Sequence, residues 1–191
     1  MSKTRNTMLA LAASAILIPG CASLSGSPGK IEGAIDLSAG NGEARAVFDW
    51  ANERERIRGA FAPPDEIKVI DTEDGKLLLR LPAAKGFAKA SAEPEAPLRA
   101  MLDRIAIAIE DPPSTEITIL GHTDSLGSET FNLQLSIKRA EAVMEYLRKR
   151  GLPLTRMNAD GHGESEPIAD NGDEPGRALN RRVEIIVKPM D

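Results

Sequence analysis

The most constraining stretch in the chain runs from Glu116 to Arg150. Glu116 to Leu120 is an apolar run that reads as a strand and ends on Gly121. A short polar loop with Asp124 follows. Ser128 or Thr130 can then cap a long amphipathic helix that continues to Arg150 and stops at Gly151. Leu135, Ala140, Val143 and Leu147 are expected on its core face. A strand feeding a capped helix through so short a loop commits this half of the chain to an α/β layer packing. It also puts a carboxylate, Asp124, and a guanidinium, Arg139, near one end of those layers.

The flanking segments extend the pattern. Leu77 to Leu81 reads as a strand stopped by Pro82, and Pro94 to Glu110 as a helix with Pro97 in its first turn. Leu98, Leu102, Ile105 and Ile109 form that helix's apolar stripe, and Asp111-Pro112-Pro113 ends it. Arg156 to Asp160 is a short strand, His162 to Gly176 a Gly/Pro/Asp-rich loop, and Arg182 to Lys188 a closing strand. The expected fold class is α+β, a two-layer sandwich in β-α-β-α-β order, with a mixed sheet and helices on one face. Upstream, Glu66 to Ile70 and Lys76 to Leu81 flank Asp71-Thr-Glu-Asp-Gly75, the pattern of a β-hairpin. Glu43 to Phe61 is expected to hold a short amphipathic helix, stopped by Pro63-Pro64, with Trp50 packing it on the domain. Four regions follow: a leader over 1–20, a modified cysteine with a tether over 21–42, a lead-in helix and hairpin over 43–75, and the main domain over 76–191.

The N-terminus reads as delivery. Lys3 and Arg5 precede an apolar run from Met8 to Ile18, too short for a membrane-spanning helix of about 20 residues but suited to a secretory signal. Ile18-Pro19-Gly20-Cys21 follows and resembles a bacterial lipobox, although Pro19 departs from the small or aliphatic residue usual there. The resemblance implies cleavage before Cys21 and lipidation of that cysteine, the only one in the chain. Buried acyl chains contribute about 0.8 kcal/mol per methylene, so two or more anchor stably. By the same resemblance, Ala22 after the cysteine favours the outer membrane. Ala22 to Gly42, rich in Ser, Gly and Pro, reads as a flexible tether.

Composition narrows the function classes. The net charge of −5 argues against nucleic acid, which needs a basic patch. One cysteine rules out an internal disulfide and a Cys-rich zinc site. His122-x-Asp124 and His162-x-Glu164 only faintly resemble metal ligands, and no metal or other cofactor is expected. No pair of acids stands out for glycoside hydrolysis, and Ser136 has no nearby His base in sequence, so the chain does not read as an enzyme. Asp124 and Arg139 can form a plain salt bridge, or they can bind a zwitterion, the Arg fork taking a carboxylate and the Asp an ammonium. Charge and spacing alone favour the salt bridge. Asn132 can orient the pair or serve as a cap.

Ile119-Leu-Gly-His-Thr-Asp124, Gly127, Asn132-x-x-Leu135-Ser136-x-x-Arg139-Ala140, Val143, Tyr146-Leu147 and Gly151 form an ordered set of motifs. Gly161-x-Gly163-Glu164-x-x-Pro167 and Asn180-Arg181-Arg182-Val183-Glu184 complete it, over roughly residues 76 to 188. In these motifs the domain resembles the OmpA-like peptidoglycan-binding family. The resemblance implies non-covalent binding of the diaminopimelate in the wall's peptide stem. Arg139 would grip the ligand carboxylate and Asp124 its amino end, with Thr123, Asn132 and Leu135 lining the pocket. One of Arg181 and Arg182 would make a structural pair and the other touch the wall. Many members carry acid after the first strand's Phe, where this chain reads Phe87-Ala88-Lys89-Ala90-Ser91. The resemblance turns the Asp124 and Arg139 reading from salt bridge to binding site. The expected partners are peptidoglycan and, through the lipid, the outer membrane, with the domain in the periplasm. The alternative is an envelope scaffold lipoprotein that keeps the fold without strong wall binding.

Overall fold

The computed structural model describes residues 48–190, apart from 64 and 111–113. The leader, Cys21, the tether, residues 43–47 of the lead-in, Pro64 and the Asp111-Pro112-Pro113 stop lie outside the described residues.

Helix α1 (Trp50–Gly59) begins at Asp49, whose carboxylate accepts from the backbone N–H of Ala51 and Asn52. The hairpin follows as β1 (Lys68–Asp71) and β2 (Leu77–Pro82), paired antiparallel. The Trp50 indole N–H donates to the Gly75 carbonyl at 2.8 Å, so the helix is docked on the hairpin turn. Helix α2 (Ala96–Ile109) has Pro97 in its first turn and buries Leu98, Leu102, Ile105 and Ile109. Each such side chain contributes about 1.5–3 kcal/mol by leaving water.

Strand β3 (Thr115–His122) leads to helix α3 (Glu129–Lys149), capped by Ser128, whose hydroxyl accepts from Phe131 N–H. After a single 3-10 turn come β4 (Met157–Gly163), helix α4 (Glu174–Asn180) and β5 (Arg182–Pro189). The five strands form one mixed sheet in the order β1-β2-β5-β3-β4, with only the β3 and β4 pair parallel. Leu77, Leu79 and Leu81 of β2, Ile117 and Ile119 of β3, and Val183, Ile185 and Val187 of β5 share one core with α2 and α3. That is the two-layer α+β sandwich, one sheet face covered by helices.

Three details differ from the sequence reading. Among the described residues, the lead-in is not set apart from residue 76 by packing. Its β1 is the edge strand of the same sheet, and Ile57, Phe61 and Ile67 sit in the same core. The stretch His162 to Gly176 is not wholly loop, because α4 starts inside it, where Asp173 accepts from Gly176 N–H. Leu135 is half-buried rather than on the core face, since the buried stripe of α3 runs through Asn132, Ser136, Arg139, Ala140, Val143 and Leu147.

Two glycines let α3 lie directly on the parallel strands. A Cβ on Gly121 would stand 2.1 Å from the Ser136 carbonyl oxygen, and one on Gly161 2.3 Å from Ile137 N. No side chain fits at either contact. The helix therefore settles against the strand ends, and its residues 132 to 139 rise beside the loop that leaves β3.

Candidate functional site

A cleft of about 410 Å³ opens where four segments meet. Thr123 and Asp124 come from the loop after β3, and Asn132, Leu135 and Arg139 from α3. Phe87, Ala88, Lys89 and Ala90 come from the loop after β2, and Glu174 and Arg181 from α4 and its C-terminal end. All five residues singled out in the sequence as ligand-binding line this one cavity. Its size is in the range that takes a small ligand.

Asp124 and Arg139 do not form the salt bridge that spacing alone favoured. Asp124 is buried, and its Oδ2 accepts from Arg181 Nη1 at 2.6 Å while Oδ1 accepts from Leu126 N–H at 3.1 Å. Arg181 also pairs with Glu174. Arg182, by contrast, is buried against Glu184, Nε to Oε1 at 2.8 Å, so it is the structural member of the closing Arg-Arg step. The Asp124 to Arg181 pair could not be found from spacing, because the two residues lie far apart in the chain and meet only through the sheet order.

Arg139 is 5% exposed. Its guanidinium lies over the Phe87 ring at 4.9 Å, and its Nε donates to the Ser91 carbonyl at 2.9 Å. Among the described residues no carboxylate lies within ion-pair distance of it. Burial is the main force acting against its charge, the neighbouring Arg181 adds repulsion, and Asp124 partly offsets both. Guanidinium stays protonated even so. The cleft thus holds a buried cation that is hydrogen-bonded to carbonyls but not neutralised.

The remaining residues set up this pair. The Asn132 amide donates to the Asp124 carbonyl at 3.2 Å and to Glu164 Oε2 at 2.6 Å, so it orients the acid's loop and is not the helix cap. The Thr123 hydroxyl is buried and has no hydrogen-bond partner among the described residues. Leu135 adds an apolar wall, and Lys89 stands at the rim where it is exposed. Outside this cleft, His122, His162 and Glu166 hold donor atoms that all lie within 4.8 Å of one another.

Residues 87–181 match the model of the OmpA family, spanning α2, β3, α3, β4, α4 and every residue lining the cleft after Ala84. The chain carries an OmpA-family domain. The probable lipoprotein YiaD of Escherichia coli is 31% identical over 140 residues, which cover 73% of this chain and 61% of YiaD. The peptidoglycan-binding protein ArfA of Mycobacterium tuberculosis is 44% identical over 87 residues, 46% of this chain and 27% of ArfA. A solved structure described as the cell wall anchor of the type VI secretion system from Pseudomonas aeruginosa superposes with a TM-score of 0.59 at 28% identity, covering 74% of this chain and 97% of that one. The chain spans less than two thirds of the curated relatives named here.

Proposed function

We propose that this chain is an outer-membrane lipoprotein whose OmpA-family domain binds peptidoglycan non-covalently, through the diaminopimelate of the stem peptide. The observation that carries the reading is Arg139, a buried guanidinium facing the cleft without a carboxylate partner among the described residues. A ligand carboxylate supplies the missing counter-charge, and the planar fork can accept it side-on. Asp124 takes the ligand ammonium. A carboxylate offers about four acceptor directions, and Leu126 N–H and Arg181 use two. The free Thr123 hydroxyl completes a polar rim above Leu135. ArfA and the secretion-system anchor, described as peptidoglycan-binding and as a cell wall anchor, support the same target. The lipid anchor at Cys21 rests on the leader pattern and on the likeness to a probable lipoprotein.

No covalent step is needed in this reading. A few charge-assisted hydrogen bonds leave a modest surplus after the costs of association, and many copies on one wall supply avidity. The test is sedimentation of the full chain with purified peptidoglycan. The wild type is expected in the pellet, and Arg139→Ala and Asp124→Ala in the supernatant with unchanged circular dichroism. Pelleting of both variants would refute the site. A folded wild type that stays in the supernatant would favour the scaffold alternative, and release of soluble muropeptides would point to a hydrolase. Cys21→Ser is expected to move the chain from the membrane fraction to the soluble one.

A further inference from the structure

We propose that His122, His162 and Glu166 form a binding site for a divalent cation of borderline softness, with zinc as the ion that suits the donor set. Two imidazoles and one carboxylate are the ligands that such ions prefer, with a further position left for water.

The observations come from three directions. His122 is 1% exposed, and neither ring nitrogen has a hydrogen-bond partner among the described residues. A buried polar ring left without partners is uncommon in a native fold and calls for a physical reason. The rings of His122 and His162 stand edge to face, with centroids 5.3 Å apart. His162 Nδ1 and Glu166 Oε2 are 3.0 Å apart. Two ligands on one tetrahedral zinc, each at about 2.0–2.1 Å, stand about 3.3 Å from each other. The spacing of that pair is therefore close to what a shared ion requires. His162 and Glu166 side chains are 28% and 58% exposed, so they can close on an ion from the solvent side while His122 stays fixed.

The local fold explains the cluster. The parallel pairing of β3 and β4 sets His122 opposite Gly163, next to His162. The turn closed by Ser165 N–H on the His162 carbonyl brings Glu166 back over His162. The charges around His122 do not forbid a cation. Arg182 is close, but it is paired with Glu184, and Glu184 Oε2 lies 3.8 Å from His122 Nε2. A bound ion would clip the end of β3 to the turn after β4. Thr123 follows the first of these, and Glu164, which holds Asn132, belongs to the second.

The test is equilibrium dialysis of the full chain, stripped with a chelator, against zinc chloride. A Cys21→Ser background removes the only thiol. One zinc per chain is expected, together with a higher melting temperature in the presence of zinc. His162→Ala alters a half-buried side chain and Glu166→Ala an exposed one, and circular dichroism of both variants checks that they fold. Each is expected to weaken zinc binding by about tenfold or more, to abolish the zinc-dependent rise in melting temperature, and to leave sedimentation with peptidoglycan unchanged. Absence of zinc binding by the wild type at micromolar ion overturns the proposal, as does undiminished one-to-one binding in both variants.

Discussion

Asp124 Oδ2 lies 2.6 Å from Arg181 Nη1, so the acid of the cleft is held by a residue from the far end of the domain and does not pair with Arg139. The pair is mostly shielded, with side chains 11% and 24% exposed. Charge-assisted hydrogen bonds of this kind contribute about 1.5–3 kcal/mol. A double-mutant cycle of Asp124→Ala and Arg181→Ala, read by urea denaturation, is expected to give a coupling of about 0.5–3 kcal/mol. Additive effects would show that the pair does not act as a unit.

Arg139→Lys separates charge from shape. Lysine keeps a positive charge but cannot span the Ser91 carbonyl, the Phe87 ring and a ligand carboxylate with one planar group. Wall sedimentation is expected to fall clearly below wild type, with a stability loss of about 1–3 kcal/mol from the broken loop contact. Denaturation midpoints of the same samples show whether lost binding exceeds lost folding.

Gly161→Ala is expected to destabilise strongly although it adds one methyl group. The new Cβ would stand 2.3 Å from both Ile137 N and Ser136 Oγ, and the backbone of α3 cannot retreat without opening the core. Overpacking of this kind costs about 1–3 kcal/mol or more, a fall in melting temperature of about 2–4 °C per kcal/mol for a chain of this size. Gly59→Ala, with open space around it, is the control expected to show no loss.

Acid stability is expected to depend on His122. Burial, followed by Arg182, lowers its pKa from 6.5 to about 4 in the folded protein. Between these values the unfolded chain binds a proton that the folded one refuses. Stability from this group is therefore complete above pH 6.5 and lost as pH falls toward 4, by about 3 kcal/mol at about 1.4 kcal/mol per tenfold. His122→Asn in chelator-treated protein should flatten the stability profile over that interval. A profile as steep as the wild type's would assign the acid sensitivity to other groups.

Trp50 offers a probe of the edge of the fold. Its indole hydrogen bond to Gly75 ties α1 to the hairpin, so unfolding followed by Trp50 fluorescence and by far-ultraviolet circular dichroism is expected to coincide. Trp50→Phe should cost about 0.5–1.5 kcal/mol for the hydrogen bond. An earlier fluorescence transition would show that α1 detaches before the sheet melts.

Much of this fold was legible because local signals agreed with each other. The stripe of Leu98, Leu102, Ile105 and Ile109, the Ser128 cap and the alternation in β2 and β5 each state one element and one buried face. The residues around the cleft were legible through the resemblance to the OmpA-like family, and the structure brings Thr123, Asp124, Asn132, Leu135 and Arg139 to one cavity. What spacing could not supply were relations fixed by sheet order. Arg181 reaches Asp124, and His162 reaches His122, only because β5 and β4 flank β3. Helix α4 was hidden by Pro175 and Gly176 in its first turn, although Asp173 followed by Glu174-Pro175 is a recognisable helix start. Leu135 was ambiguous because an apolar residue one step off the stripe can line a cavity as readily as a core.

The sheet order also fixes where a pull would be felt. Under the proposed reading, in which the chain ties a membrane to a wall, tension would enter on the N-terminal side, where β1 is the edge strand, and leave through the cleft beside β3. Between them lie three rows of interstrand hydrogen bonds in series. The first row, β1 to β2, joins 4 residue pairs, whereas β2 to β5 joins 6 and β5 to β3 joins 7. Rows in series carry the same force, so the shortest yields first. On that reading the row between β1 and β2 would act as a mechanical fuse, parting under overload before the rows that hold the strands beside the cleft.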